Sequence, residues 1–379
     1  MFRRQTRTKA TGNLFDHGPL TAIDLFAGGG GLTVGLKRAG FDVVAAVENE
    51  PNAADTYRSN HGDVKLFERD IAEVTGTDLN VHSPDGQIDL LAGCPPCQGF
   101  TSLTAKYNRS DLRNALIREM GRLVREVEPK AVMLENVPRI RTRGKELYKE
   151  FVGTLKDHGY KISDRSLGVL QVANYGVPQN RRRFVLLAGK GFEIPLPSPT
   201  HSRDGNEHRQ KWKTLRDVLS QFDAGSPPTL SEAQDQDGPQ GENWHVVRDI
   251  SEKNKERLRE AKPGESRKSI PRKLRPDCHE DDDYDGFSNV YGRMTWDQTP
   301  VTITSGCTTP SKGRFGHPEE LRTISVREAA LIQTFPLDYE IDTPYMKYAC
   351  QIVGNALPCD FAEVVSEACH EALHQREVA

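Results

Sequence analysis

No run of apolar residues in this 379-residue chain approaches the roughly 18 needed to span a bilayer. The first residues, Met1 to Lys9, are basic but lack the apolar stretch of a secretion signal. No membrane association is expected, and a soluble cytoplasmic protein is the expectation. Cysteine offers no scaffold either. There are seven, an odd number, and only Cys94 and Cys97 form a close pair, so reduced thiols are expected. A strong basic excess is also missing: the net charge is −3, so any contact with nucleic acid must use local patches. Candidates are the tail Arg3, Arg4, Arg7, Lys9, the run Arg181-Arg182-Arg183, and the cluster Arg267, Lys268, Arg272, Lys273, Arg275. Each also reads as an ordinary solvated face. No internal repeat is found.

What is present suffices for one large domain plus a smaller one, or for two of ordinary size, with 36% hydrophobic residues for a core and 28% charged residues for a very polar surface. From Thr21 to about Lys190, short apolar runs alternate with helical stretches. Strands are expected at Ala22 to Phe26, Val43 to Val47, Ile88 to Ala92, Ala131 to Leu134 and Phe184 to Ala188. Helices are expected at Gly30 to Ala39, at Pro51 to Asn60 with Pro51 in the first turn, and at Leu112 to Val127. Such alternation predicts an α/β fold with a mostly parallel sheet covered on both faces. Near Phe192 the character changes. To about Glu320 the chain is rich in Pro, Gly, Ser and charge, with an acidic run at Glu280 to Asp283, and reads as a loop-rich module or a long surface insertion. A helix returns at Ser325 to Gln333, and an amphipathic one closes the chain at Phe361 to His374. The expected division is 1–190, 191–320 and 321–379.

Asp24-Leu25-Phe26-Ala27-Gly28-Gly29-Gly30-Gly31 joins the first strand to the first helix. Its glycines allow close approach of a ligand at the carboxyl edge of the sheet. Glu48 ends the second strand, where a carboxylate suits ribose hydroxyls. The loop does not satisfy G-x-G-x-x-G, because Thr33 and Val34 stand at the last position. A nucleoside ligand without a pyrophosphate is therefore preferred to a dinucleotide.

Gly93-Cys94-Pro95-Pro96-Cys97-Gln98-Gly99-Phe100 follows another buried strand. A redox Cys-x-x-Cys normally opens a helix, which this proline-rich segment does not resemble. A zinc site lacks its other ligands, Cys278-His279 being too isolated, and no metal is expected. A single nucleophile, Cys97, is the third reading. Its partners would come from the next strand end, Glu135-Asn136-Val137-Pro138, and from Gln179-Asn180-Arg181-Arg182-Arg183, where Arg181 and Arg183 point the same way.

With these elements in this order, the sequence resembles the cytosine-5 DNA methyltransferase family, over Asp24 to Gly35, Glu48, Asp70, Gly93 to Ser102, Glu135 to Val137, Gln179 to Arg183, Arg322 to Pro336 and Gly354-Asn355-Ala356. The resemblance implies a Rossmann-like methyltransferase fold with a smaller target-recognition domain at 191–320. It implies S-adenosylmethionine as cofactor, held by Asp24, Phe26, Gly28, Gly30, Gly31, Glu48, Asn49, Asp70, Ile71, Pro96, Asn355 and Ala356. Amino-group methyltransferases carry Asp/Asn-Pro-Pro-aromatic at the same strand end. Cys97 after Pro95-Pro96 argues for carbon as the acceptor.

The chemistry accounts for the residue types. Carbon 5 of cytosine is a poor nucleophile until a thiolate adds to carbon 6, the task the resemblance gives to Cys97, whose thiol has an ordinary pKa of about 8.5. Glu135 would protonate N3, Arg183 would hold O2, and Arg181 would support it or a phosphate. The cytosine would be flipped out of the duplex, under a closing loop at Gln98 to Asp111. Double-stranded DNA is the expected partner, contacted by Gln98, Ser102, Arg272, Lys273, Thr304 and Arg314. Thr304 and Arg314 lie in Thr302 to Cys307 and Gly313 to His317, stretches seen in bacterial members. Cognate restriction or defence proteins and a monomeric state are further expectations. A tRNA cytosine methyltransferase, a non-catalytic regulator and a redox or NAD enzyme are the competing classes.

Overall fold

The computed structural model describes residues 19–96, 116–276 and 289–378. Cys97, Gln98, Ser102, the loop to Asp111, the N-terminal basic tail, Cys278-His279 and the acidic run lie outside the described residues.

The apolar runs pair into one sheet. Strands β1 (Thr21–Leu25), β2 (Asp42–Val47), β3 (Lys65–Phe67), β4 (Leu90–Gly93) and β5 (Ala131–Asn136) are parallel, in spatial order β3-β2-β1-β4-β5. The expected strand at Phe184 to Ala188 is longer, and it runs the other way. We label β6 (Tyr160–Lys161), β7 (Leu167–Gln171) and β8 (Arg182–Lys190). Strand β8 lies antiparallel to β5, with Ala131 opposite Gly189 and Asn136 opposite Phe184, and β6 and β7 follow one another along its far edge. The two short edge strands escape sequence reading because every residue of β7 is half-buried, which erases the alternation that marks a strand.

Successive strand residues face opposite ways, and both faces are packed. Ala22, Leu90, Ala92 and Met133 share a core with Leu36 of the helix Gly31–Arg38 and with Phe361, Val365 and Leu373 of the last helix, Cys359–Val378. Ile23, Leu25, Leu91, Val132 and Leu134 share the other with the helices Leu116–Val127 and Lys145–Asp157. The last helix seats against Gly31–Arg38 at Gly35, where a Cβ would lie 2.4 Å from that of Ala362. The chain therefore returns to the sheet it started from.

A second core joins the loop-rich region to the C-terminal part. Leu215, Trp244, Ile303 and Phe315 pack with Ile324, Ile332, Phe335, Ile352 and Val353. The expected boundary near residue 320 runs through this core. A small satellite of Ala261, Ile270, Val290 and Tyr291 supports the rest of the module. Among the described residues no helix is long and apolar enough to cross a membrane, and no group of three or more His, Cys, Asp or Glu is placed to hold a metal ion.

Candidate active site

All five parallel strands end at one edge, and a cleft of about 540 Å³ opens there. It is lined by the ends of β1, β2, β4 and β5, by Arg181 and Arg183, and by Gln351, Ile352 and Gly354 to Leu357 of the C-terminal region.

One half is built from the glycine loop. Phe26 takes a positive φ of 61° and Gly28 one of 54°, which turns the chain sharply at the strand end and leaves the Phe26 ring half-exposed in the cleft. Glu48 is fixed by three backbone N–H groups: Gly28 donates to Oε2 at 2.8 Å, while Asn49 and Glu50 donate to Oε1 at 3.0 and 2.8 Å. Burial nevertheless raises its pKa, against those three bonds. Asp70 is exposed at the cleft and caps a short turn at Ile71–Glu73, accepting from Ala72 N at 2.9 Å. Asn49, Ile71, Pro96, Asn355 and Ala356 also line the cleft, with Gly28 and Gly31. An aromatic face, an immobilised carboxylate and a second carboxylate in one cavity fit an adenine and a ribose.

Two expected ligand contacts are corrected. Asp24 is completely buried beneath the loop and does not line the cleft; its Oδ2 accepts from Thr33 Oγ1 at 2.7 Å, and Thr33 in turn meets Tyr57 Oη at 2.9 Å. Burial raises the Asp24 pKa to about 7. Gly30, with φ 88°, also turns away from the cleft, towards His61 and Tyr339, and a Cβ there would lie 2.5 Å from the Tyr339 hydroxyl. That hydroxyl donates to the Gly29 carbonyl and lies 3.1 Å from His61 Nε2. Both residues support the loop from below.

The other half holds the candidate catalytic groups. Glu135 and Arg183, on neighbouring strands, form an ion pair with Nε 2.7 Å from Oε1. Asn136 donates from Nδ2 to the Pro95 carbonyl at 3.2 Å, which ties the Pro95-Pro96 segment leading to Cys97 to the end of β5. Cys94 lies beside Glu135, and burial pushes its thiol pKa well up, so it remains a neutral thiol.

Arg181 shares the cleft with Arg183 but is enclosed by backbone carbonyls. It is 2% exposed, and its guanidinium donates to the carbonyls of Ile303 at 2.7 Å and Ala356 at 3.2 Å. It still contributes to the cleft wall beside Arg183. Burial drives its pKa well down, and its role is to tie three segments together.

The module's candidates separate likewise. Arg272, Lys273, Lys268 and Thr304 are exposed. Arg267 is 2% exposed, Arg275 donates to the carbonyls of Ile270 and Lys268, and Arg314 donates to Gly264 O and Asn289 Oδ1. Arg275 and Arg314 are thus engaged within the module itself. Sequence reasoning missed Gln351, Ile352 and Leu357 in the cleft wall, because the helix Met346–Asn355 was not read; its apolar period is the signal that carries it.

A sheet with one reversed strand beside the last parallel one, and a cleft pairing a nucleoside-type pocket with Glu135 and Arg183, defines a methyltransferase of the S-adenosylmethionine-dependent class. The family model for C-5 cytosine-specific DNA methylases matches residues 20–371. A Type II methylase, M.HgiDII of Herpetosiphon aurantiacus, is 36% identical over 363 residues, covering 94% of this chain and 97% of that one. The Type II methyltransferase M1.HphI of Haemophilus parahaemolyticus is 33% identical, covering 92% and 86%. Among solved structures, a prophage-encoded protein of E. coli described as a DNA modification methyltransferase superposes with a TM-score of 0.69 at 22% identity, over 94% of this chain and 99% of that one. The Dnmt2 methyltransferase of S. pombe gives 0.62 at 18%, over 94% and 99%. The chain belongs to the C-5 cytosine-specific DNA methylase family: it is a DNA (cytosine-5-)-methyltransferase that uses S-adenosylmethionine as methyl donor. The tRNA alternative is set aside by the same match.

Proposed function

We propose that this enzyme methylates cytosine within one specific duplex sequence, as the self-marking half of a restriction or defence system. The Type II designation of its relatives supports that role. In this reading it acts as a cytoplasmic monomer beside a cognate nuclease. Residues 191–320 select the sequence, with Arg272 and Lys273 on phosphates and Thr304 at the groove; phosphate contacts position, and base contacts specify.

The observation that carries the catalytic reading is the convergence, in one cleft, of Phe26 and Glu48 with the Glu135–Arg183 pair and the Pro95-Pro96 lead to Cys97. When bound, S-adenosylmethionine would be held by Phe26, Glu48 and Asp70 and would supply an electrophilic methyl carbon. The target cytosine is flipped into the cleft. The Cys97 thiolate adds to carbon 6 while N3 takes a proton from Glu135, which enters the step in its protonated form, and Arg183 holds both Glu135 and the O2 oxygen. Carbon 5, now enamine-like, would take the methyl group from the sulfonium, leaving S-adenosylhomocysteine, and N3 would return its proton to Glu135. Loss of the carbon 5 proton to a base re-forms the double bond and expels the Cys97 thiolate.

A duplex carrying 5-fluorocytosine at the target has no carbon 5 proton to lose, so with donor present it is expected to stay covalently joined to Cys97. Peptide mapping reads the bond. Cys97→Ser is expected to bind the duplex without forming the adduct or leaving methyl marks. An adduct on any other residue, or marks persisting in that variant, refutes the role.

A further inference from the structure

Two glutamines that touch neither the donor pocket nor the candidate base site sit at the centre of the molecule. Gln179 and Gln333 are both completely buried. Gln179 Nε2 donates to Gln333 Oε1 at 2.7 Å, and Gln179 Oε1 accepts from the Ile303 N–H at 3.0 Å. Gln333 Nε2 donates to the carbonyls of Val353 at 2.6 Å and Ala356 at 3.1 Å. Every polar atom of the two amides is thereby used. Arg181 runs alongside, from Ile303 O to Ala356 O.

The two ends of this relay differ in what they face. At one end, Val353 and Ala356 bracket Asn355, which lines the donor half of the cleft. At the other, Ile303 lies between Thr302, whose hydroxyl donates to Asn180 O at 2.7 Å, and the exposed Thr304. The main chains touch directly as well: a Cβ on Gly354 would lie 2.2 Å from the Thr304 carbonyl carbon. No side chain fits between the donor rim and this module segment. A shift of either one must break bonds of buried amides that have no water to replace them.

We propose that Gln179 and Gln333 are positioning residues that couple donor binding to duplex binding, by holding the rim Gly354–Ala356 and the segment Thr302–Thr304 as one rigid unit. This rests on the reading of the cleft as the donor site and of Thr304 as facing the duplex. Occupation of the rim by donor or product fixes the segment in the arrangement that meets DNA, and the coupling is reciprocal.

The test measures S-adenosylhomocysteine affinity by calorimetry, and affinity for a short duplex containing the mapped target cytosine with and without saturating S-adenosylhomocysteine. In the wild type, the compound tightens duplex binding. Gln333→Met keeps the volume and removes the relay; it is expected to weaken S-adenosylhomocysteine binding and to cut the coupling factor about fivefold or more. Combined with Gln179→Met, it is expected to add little further loss, because both act on one network. Thr302→Val, at a half-buried position outside the donor cleft, is the milder variant should the glutamine variants not fold. It is expected to lower the coupling factor in the same direction. Leu123→Ala, in the core on the far face of the sheet, destabilises the fold without touching the relay and is expected to leave the factor unchanged. A wild-type factor of one, unchanged coupling in folded Gln333→Met or Thr302→Val, or an equal loss in Leu123→Ala overturns the proposal. A wild type that binds no S-adenosylhomocysteine overturns the donor-site reading instead.

Discussion

Arg183 Nε lies 2.7 Å from Glu135 Oε1, with the two side chains 14% and 9% exposed, and the pair exists because β8 runs antiparallel to β5. Glu135 stands opposite Val185 in that register, so the side chain of Arg183 reaches it from two residues along the neighbouring strand.

Separating fold from chemistry at this pair needs two variants. Arg183→Met leaves a buried carboxylate without its cation, and breaking a buried pair costs about 3–5 kcal/mol. Urea unfolding is expected to show a loss of that order. Glu135→Gln removes the acid but keeps the shape and an oxygen that can accept from Arg183, so it is expected to lose less stability than Arg183→Met while kcat falls about 10²–10⁴. A Glu135→Gln enzyme with near-normal turnover would remove Glu135 from the proton transfer.

Glu48 is expected to hold the donor's ribose as well as the glycine loop, since it accepts from Gly28, Asn49 and Glu50. Glu48→Ala should weaken S-adenosylhomocysteine binding about tenfold or more, on the scale of lost hydrogen bonds to a charged group. Calorimetry gives the number. An affinity within twofold of the wild type would place the ribose elsewhere.

Asp24 predicts a pH effect with a definite sign. Burial raises its pKa to about 7, so the folded protein holds a proton that the unfolded chain releases at ordinary carboxylate pH. Stability from this group is full below the unfolded value and is lost as pH rises towards about 7. Asp24→Asn keeps an oxygen for the Thr33 hydroxyl and does not titrate. Its stability relative to wild type is therefore expected to improve from pH 4 to 7 and level off above. Parallel unfolding curves of the two proteins across that range would show that Asp24 titrates normally.

Gly29 packs where no side chain fits: a Cβ would lie 2.4 Å from Ile352 Cγ2. Gly29→Ala is expected to push the helix Met346–Asn355 off the loop, costing about 1–3 kcal/mol as overpacking does. Donor affinity should fall with it. Ile352→Ala, which removes the colliding methyl, should restore part of both; a double variant as weak as the sum of the singles would locate the strain elsewhere.

Much of the fold was legible from local pattern. The helix Pro51–Asn60 falls at its expected bounds, and β1, β2 and β5 fall within two residues of theirs, because buried parallel strands and capped helices carry their signals in a few adjacent residues. The direction of β8 was not legible, since an apolar run looks the same in either direction. Asp24 and Gly30 sit in the right motif but on its buried side, which spacing alone does not reveal. Arg181 and Arg183, two residues apart, share a strand-like phase in the sequence yet do different work. One is enclosed by carbonyls from the module and the C-terminal region, the other by Glu135.

By itself, the sequence determined the reaction class: a cysteine after two prolines, a Glu-Asn-Val strand end and a Gln-x-Arg-x-Arg segment name the chemical groups that cytosine methylation needs. Only the tertiary structure decided which of the named residues can reach a ligand and which hold the walls in place. Contact with a ligand depends on what lies around a side chain on every side, and those neighbours include segments as distant as Ala356 is from Arg181, 175 residues along the chain.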